Sequence, residues 1–369
     1  MRGSIRQKSK NSWQLQIYTG IGPDGKRRRH FETVRGRKGD AQRRLTSLLS
    51  SLDKGIPVPG KQLTVADLLK AWLNSKTDCS PKTLESYQGI VVGHLIPALG
   101  HILLSKLQPQ EIASYYQKAL QKPLSAKSVH YHHRLLKQAL KYAVWQEYIG
   151  RNPCDRVKPP SPQKKEMRTL EATEVQILLE TARNSQFYPV IYAAVSSGLR
   201  RNELLGLRWR DIDLDKPSMS VSRTLYKSKG AIEFREPKTD RSRRCISITE
   251  KLATYLRDYK GEKESLSLHL GRLLHLDDLV FCNTEGKPLD PHVVSHSFSK
   301  IAKRAGLGSV RFHDLRHTFA TLSLKRGVLP KVVSDALGHS SVAFTMDTYA
   351  GRIPQDEAMA LLNEVLPEG

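Results

Sequence analysis

The chain has 369 residues, 39% of them hydrophobic, enough for two or three ordinary packed domains. Sixty lysines and arginines against thirty-six acidic residues leave a formal charge of +24. Such an excess repels itself unless a polyanion is near, so the composition favours a nucleic-acid partner over a basic surface kept only for solubility. No stretch reaches the length of a membrane span and the start, MRGSIRQKSKNSWQLQ, has no signal-peptide core, so the cytoplasm is the expected compartment. Cys79, Cys154, Cys245 and Cys282 lie far apart without paired spacing, which argues against a disulfide framework or a zinc knuckle.

Residues 1–60 hold fourteen basic and four acidic residues. Within them SWQLQIY (Ser12 to Tyr18) alternates apolar and polar side chains, GPDGK turns, and RRRHFETV resumes, which predicts a β-hairpin. Residues 4–8 offer a third strand and KGDAQRRLTSLLSSLDKG an amphipathic helix, so 1–57 reads as a three-stranded sheet plus helix. So small a sheet keeps one face free. With Trp13, Gln14, Gln16, Arg27, Arg28 and Arg29 at hand, that face could enter a DNA groove, the plainer alternative being an exposed basic hairpin without readout.

After the linker GIPVPGKQ, four helices are expected at about 64–76, 81–94, 108–121 and 125–147, with Thr64 and Ser125 as caps and Pro81 in a first turn. They make 63–157 an all-helical domain. In the last helix His130, His132 and His133 stand beside Arg134, Lys137 and Lys141. No acid or thiol adjoins them, so a face laid on phosphates is preferred to a metal site, and His130, His133, Arg134 and Lys137 are candidate DNA contacts. A second linker, VKPPSPQKKEMRTL, leads into 166–369, where helices (EATEVQILLETARN, FYPVIYAAVSSG) give way to a strand region over 218–248 and then to helices again. The fold class expected is multidomain α+β, with a mainly helical α+β C-terminal domain.

Four short stretches in that last part carry polar residues suited to chemistry. SSGLRRNELLGLRWRDID puts Gly198 at the end of an apolar helix and Arg200 just past it, with Glu203 placed to brace an arginine; Trp209 and its apolar neighbours read as core. MSVSRTLYKSKGAI and EFREPKTDRSRRCISI predict a β-hairpin with a basic tip and Lys238 at the end of its second strand. FHDLRHTFAT sets His313 and His317 four apart on one helical face, with Arg316 between them. The pair could hold a metal. A zinc hydrolase helix wants a glutamate beside the first histidine, whereas here Asp314 and Leu315 occupy the inner positions and Arg316 would repel a dication. DALGHSSVAFTMDTYAG adds His339 and, ten residues on, Tyr349.

Taken in order, GLR (198–200), PKT (237–239), HDLR (313–316), LGH (337–339) and DTYAG (347–351) make the chain resemble the tyrosine recombinase (phage integrase) superfamily. The likeness is strong over the last two hundred residues or so and looser over 64–157 and 1–57, which resemble that family's helical core-binding and three-stranded arm-binding domains. Asn202 departs from the small residue many relatives carry.

The resemblance implies a site-specific DNA recombinase whose catalytic residues are Arg200, Lys238, His313, Arg316, His339 and Tyr349. Two guanidiniums offer planar paired donors to the charge that gathers on a phosphodiester's non-bridging oxygens. Tyr349 is the nucleophile. With a reference pKa near 10, about one phenol in a thousand is ionised at pH 7, so cations and a base must activate it, and His313 is one group able to take the proton. Lys238 would supply a proton to the departing hydroxyl, Glu203 would orient Arg200, and His317 is assigned a structural hydrogen bond beside the site. Also implied are double-stranded DNA with core and arm-type sites, a homotetramer on DNA, DNA-bending and directionality proteins as accessories, and neither cofactor nor metal. The tail EAMALLNEVL (Glu357 to Leu366) reads as an amphipathic helix that docks on a neighbouring subunit or on its own domain. A type IB topoisomerase, which religates the same strand, and a non-catalytic DNA-binding regulator are the alternatives.

Overall fold

The computed structural model describes residues 3–21, 27–53, 63–122, 124–163, 167–228, 230–236, 243–339 and 341–349. Lys238 and the tail Glu357 to Leu366 lie outside the described residues, as do the side chains of Arg27 and Arg28. The chain divides into two compact units, Met1–Lys164 and Lys165–Gly369.

The first unit opens with an antiparallel sheet of β1 (Gly3–Ser9), β2 (Ser12–Ile21) and β3 (Arg27–Arg35), followed by α1 (Lys38–Asp53). The register sets Ile5 opposite Leu15 and Trp13 opposite Val34. Strand alternation then sends Ile5, Trp13, Leu15, Ile17 and Val34 to one face, where they pack with Ala41, Leu45 and Leu48 of α1. An Arg44–Glu32 pair at 2.8 Å ties the helix to β3. The other face carries Arg6, Gln14, Gln16, Arg29, Thr33 and, 54% exposed, Phe31. Trp13 therefore does not belong to the free face expected to hold it: its ring packs on the core and its Nε1 donates to the Gly36 carbonyl at 3.1 Å.

The helices that follow are α2 (Val65–Asn74), α3 (Pro81–Ile90), α4 (Ile96–Leu99), α5 (Pro109–Gln121) and α6 (Ala126–Trp145). Thr64, Ser80 and Ser125 cap α2, α3 and α6, each accepting from the third backbone N–H of its helix. Where a single helix was expected over 81–94, α3 runs through a wide π turn, Val91–Leu95, into α4. Pro97 explains it: the ring has no N–H and would collide with the carbonyl four residues back, and the wider turn clears that carbonyl. Val65, Leu69, Trp72, Leu95, Ile112 and Leu136 are among the residues of the core these helices share.

In the second unit α7 (Ala172–Ala182) and α8 (Tyr188–Ser197) are followed by the short α9 (Arg201–Leu204). Strands β4 (Ile212–Asp213), β5 (Ser218–Val221), β6 (Thr224–Ser228), β7 (Ala231–Arg235) and β8 (Arg244–Ser247) form two antiparallel pieces, β4-β5-β8 and the hairpin β6-β7. The expected single hairpin is thus split, because β5 pairs with β8 while β6 and β7 pair beyond them. The unit closes with α10 (Glu250–His269), α11 (Pro291–Arg304), α12 (Asp314–Lys325), α13 (Pro330–Leu337) and α14 (Val342–Tyr349). Its core runs from Leu170 through Ile191, Trp209 and Phe298 to Leu315. Among the described residues no helix is long and apolar enough to cross a membrane.

Candidate active site

Two helices of the second unit end the same way. α8 stops at Gly198 (φ 65°) and α13 at Gly338 (φ 64°), left-handed residues that turn the chain sharply and leave the last carbonyls unpaired by the helix. A Cβ at Gly198 would lie 2.4 Å from the Phe319 ring, so glycine is required there for space as well as for conformation. Arg316, on α12 and only 3% exposed, reaches both ends: Nη1 donates to the Gly198 carbonyl at 2.9 Å and Nη2 to the Leu337 carbonyl at 2.5 Å. A buried cation is thereby placed at the negative ends of two helices, which offsets part of its desolvation. Burial, then the charge of Arg200, presses its pKa downward, although a guanidinium stays protonated near neutrality. The same clasp brings the segments holding Arg200 and His339 to one place, each two residues from a carbonyl that Arg316 binds.

Arg200 caps α9, and its side chain is held by Glu203 at 2.8 Å while remaining 41% exposed. The Glu203 backbone-facing oxygen also accepts the Arg200 N–H at 2.8 Å. On its other side Glu203 meets Arg244 of β8, at 2.9 Å and 3.3 Å, with both side chains buried. Burial alone would raise the Glu203 carboxyl, but Arg244 and Arg200 hold it below the usual carboxylate range. Arg244 continues to α13, its Nε donating to the Ala336 carbonyl at 2.8 Å. The sequence reading missed Arg244, which sits in the basic run RSRRC and looks solvated there. The signal was its place two residues before the buried Ile246 on a strand, which directs both side chains to one face.

His313 and His317 stack edge to face with ring centroids 5.0 Å apart. Asp314, between them in sequence, is engaged by Arg311 at 2.7 Å, and among the described residues no group of three possible ligands is arranged to hold a metal. His317 makes a hydrogen bond beside the site, and its partner is Tyr349. Its Nδ1 lies 2.7 Å from the Tyr349 hydroxyl. Tyr349 is 1% exposed, packed with Ala320, Leu324, Val333 and Leu337, and its ring stacks on His339 at 6.4 Å and 9°. His339 in turn bonds Thr345 at 2.8 Å. Burial, then the neighbouring His313, pushes His317 down to about 4; burial, then Arg316 and Arg200, does the same to His339. Both imidazoles are therefore neutral at pH 7.

A cleft of about 690 Å³ opens beside this cluster, lined by Arg200, Asn202, Tyr226, Ser295, Arg311 and His313 among others. Arg200 and His313 line it, whereas Tyr349 is packed away against α12 and α13. Of the six residues proposed as catalytic, five are gathered here and Lys238 lies outside the described residues. The expected contacts on α6 divide. Arg134 and Lys137 are exposed, Lys137 pairing with Asp155 at 2.9 Å, and His130 is half-buried with Nδ1 3.3 Å from the Pro160 carbonyl. His133 turns inward, 6% exposed and bonded to the Tyr116 hydroxyl at 2.7 Å, and so leaves the set of surface contacts. In the sheet Arg29 is exposed.

The chain resembles known proteins in sequence and in fold. Residues 168–354 match the phage integrase family and 64–120 its N-terminal SAM-like domain. A tyrosine recombinase XerC-like protein of Caldanaerobacter subterraneus subsp. tengcongensis is 30% identical over 346 residues, 88% of each chain. The ICEBs1 integrase of Bacillus subtilis is 25% identical over 371 residues, 98% of this chain and all of the relative. In fold, the Tn1549 transposon integrase solved with a circular intermediate DNA superposes with a TM-score of 0.71 at 21% identity, over 82% of this chain and 100% of that one. The lambda integrase tetramer bound to a Holliday junction gives 0.62 at 18% identity over 95% of both chains. The chain belongs to the phage integrase family and is a tyrosine-type site-specific DNA recombinase.

Proposed function

We propose that the chain integrates and excises a mobile element, and that Arg200, Lys238, His313, Arg316, His339 and Tyr349 carry the strand cutting and rejoining. The observation that carries this reading is the double clasp of Arg316 on the Gly198 and Leu337 carbonyls, which gathers Arg200, His339 and Tyr349 around one guanidinium. Arg200 and Arg316 take the non-bridging oxygens of the target phosphate, where loss of one such donor costs about a hundred- to a thousandfold. His313 and His339 add further donors. Tyr349 attacks phosphorus, the 3′-phosphotyrosyl link keeps the bond energy, and a 5′-hydroxyl from a partner duplex reverses the step, so no ATP is consumed. Because Tyr349 is buried, attack requires the site to open to the target phosphate as DNA enters.

In this reading 166–369 is the catalytic domain, 63–157 the core-binding domain with His130, Arg134 and Lys137 toward the phosphates, and 1–57 the arm-binding domain. Arg27, Arg28 and Arg29, with Gln14, Gln16 and Phe31 on the free face of the sheet, contact a second, distant DNA site. Two duplexes need four active sites, so the working assembly is a homotetramer on DNA, as in the lambda integrase complex, with accessory DNA-bending and directionality proteins setting its geometry and direction. Relatives named as integrases of ICEBs1 and of mycobacteriophages support the mobile-element role. The test is a plasmid carrying both ends of the element: the full chain should exchange strands between the two sites and leave a plasmid without them untouched. Relaxation of the site-free plasmid would point to topoisomerase chemistry instead.

A further inference from the structure

Tyr349 needs a base, and the assignment of site residues leaves that part open. His313 is the histidine nearest the cleft mouth, yet the phenol oxygen is met by His317, whose Nδ1 stands 2.7 Å away. That is hydrogen-bond reach for a proton transfer with no intervening water. Arg316 and His317 are consecutive on α12, and Tyr349 lies near enough to Arg316 for each to feel the other's charge, so the phosphate clamp and the His317–Tyr349 pair belong to one cluster. The His313 ring, which lines the cleft, meets the His317 ring nearly at right angles with centroids 5.0 Å apart. Of the groups around it, Asp314, tied to Arg311, favours a proton on His317, but burial, His313, Arg316 and Arg311 together outweigh it.

We infer that His317 is a catalytic residue, the general base that takes the Tyr349 proton; the inference rests on Tyr349 being the nucleophile. In the forward step the Oη–H bond breaks as an N–H bond forms on Nδ1, and an Oη lone pair makes the bond to phosphorus. The P–O5′ bond breaks, its electron pair stays on the 5′ oxygen, and that oxygen takes a proton from the acid assigned to Lys238. On return the 5′-hydroxyl gives its proton back to that lysine, attacks phosphorus, and the departing phenolate recovers its proton from the His317 imidazolium. Phenol donation to Nδ1 requires the tautomer protonated at Nε2. The depressed titration of His317 keeps the neutral form available throughout the neutral range.

The test uses the full chain and a nicked suicide duplex bearing the element's end sequence, read from its chromosomal junctions. His317→Asn keeps an acceptor for the phenol but is no base; His317→Ala removes both. Both variants should bind the duplex with wild-type mobility shifts and lose about a hundredfold or more in the rate of covalent adduct formation. Wild-type cleavage should be level between about pH 6 and 8, whereas the variants should gain about tenfold per pH unit as hydroxide replaces the base, and added imidazole should restore part of the rate to His317→Ala. If His317→Ala fails to fold, His317→Asn alone decides. Cleavage by His317→Asn within about tenfold of wild type, with the same pH profile, would overturn the inference and leave His317 an orienting group. An adduct that persists in Tyr349→Phe would overturn the nucleophile assignment itself, which is a separate failure.

Discussion

Replacing Arg244 by methionine tests whether the site depends on the buried chain of ion pairs beneath it. The methionine stem refills most of the volume but removes two bonds to Glu203, at 2.9 Å and 3.3 Å, and one to the Ala336 carbonyl at 2.8 Å. Breaking a buried pair by deleting one partner costs about 3–5 kcal/mol. Glu203 keeps Arg200, through both its backbone N–H and its guanidinium, so the lower end applies, about 3 kcal/mol. For a unit of this size that is a fall of roughly 6–12 °C in Tm. The catalytic effect is indirect: a looser Glu203 lets Arg200 drift, and a misplacement of about 1 Å is worth up to about a hundredfold in rate. Calorimetry at pH 7 and adduct formation on the suicide duplex measure the two effects separately. A Tm within about 2 °C of wild type, together with unchanged cleavage, would refute the reasoning.

Two further outcomes are expected. Arg316→Lys offers one point charge where a planar fork bridges the Gly198 and Leu337 carbonyls, so cleavage should fall about a hundred- to a thousandfold while DNA affinity in a mobility-shift assay changes little. Stability should fall in mild acid because His132, 3% exposed and 2.7 Å from the Tyr115 hydroxyl, is pushed to about 4, by burial and then by His94. The folded pKa lies below the unfolded one, so this contribution is full above about pH 6.5 and is lost as pH drops toward 4, amounting to about 2 kcal/mol between pH 7 and 5. Urea unfolding at the two pH values should show that loss in the wild type and a smaller one in His132→Gln; equal losses would contradict it.

Where the chain marks its own boundaries, sequence sufficed. Thr64 and Ser125 cap helices because a side-chain oxygen reaching a free N–H is a local event. The order of the GLR, HDLR, LGH and Tyr349 segments likewise pointed to residues that the fold gathers. Facing was harder. His133 was read by its charge-bearing neighbours, although Val129, His132, His133, Leu136, Leu140 and Ala143 repeat at helical spacing and all point inward. Trp13 was misplaced for the corresponding reason in a strand, since it shares the parity of Leu15 and Ile17. The pairing of His317 with Tyr349 was not legible at all. It depends on how α14 settles against α12, thirty-two residues away in sequence, and no local pattern encodes that packing.

The central claim is that the oxygen of Tyr349 becomes esterified to the 3′ end of the cut strand. Trapping the adduct on the nicked suicide duplex, digesting it, and sequencing the nucleotide-bearing peptide by mass spectrometry tests it directly. The account predicts a single modified peptide containing Tyr349 and no adduct from Tyr349→Phe. A nucleotide attached to another tyrosine, or cleavage that leaves no covalent link, would contradict it.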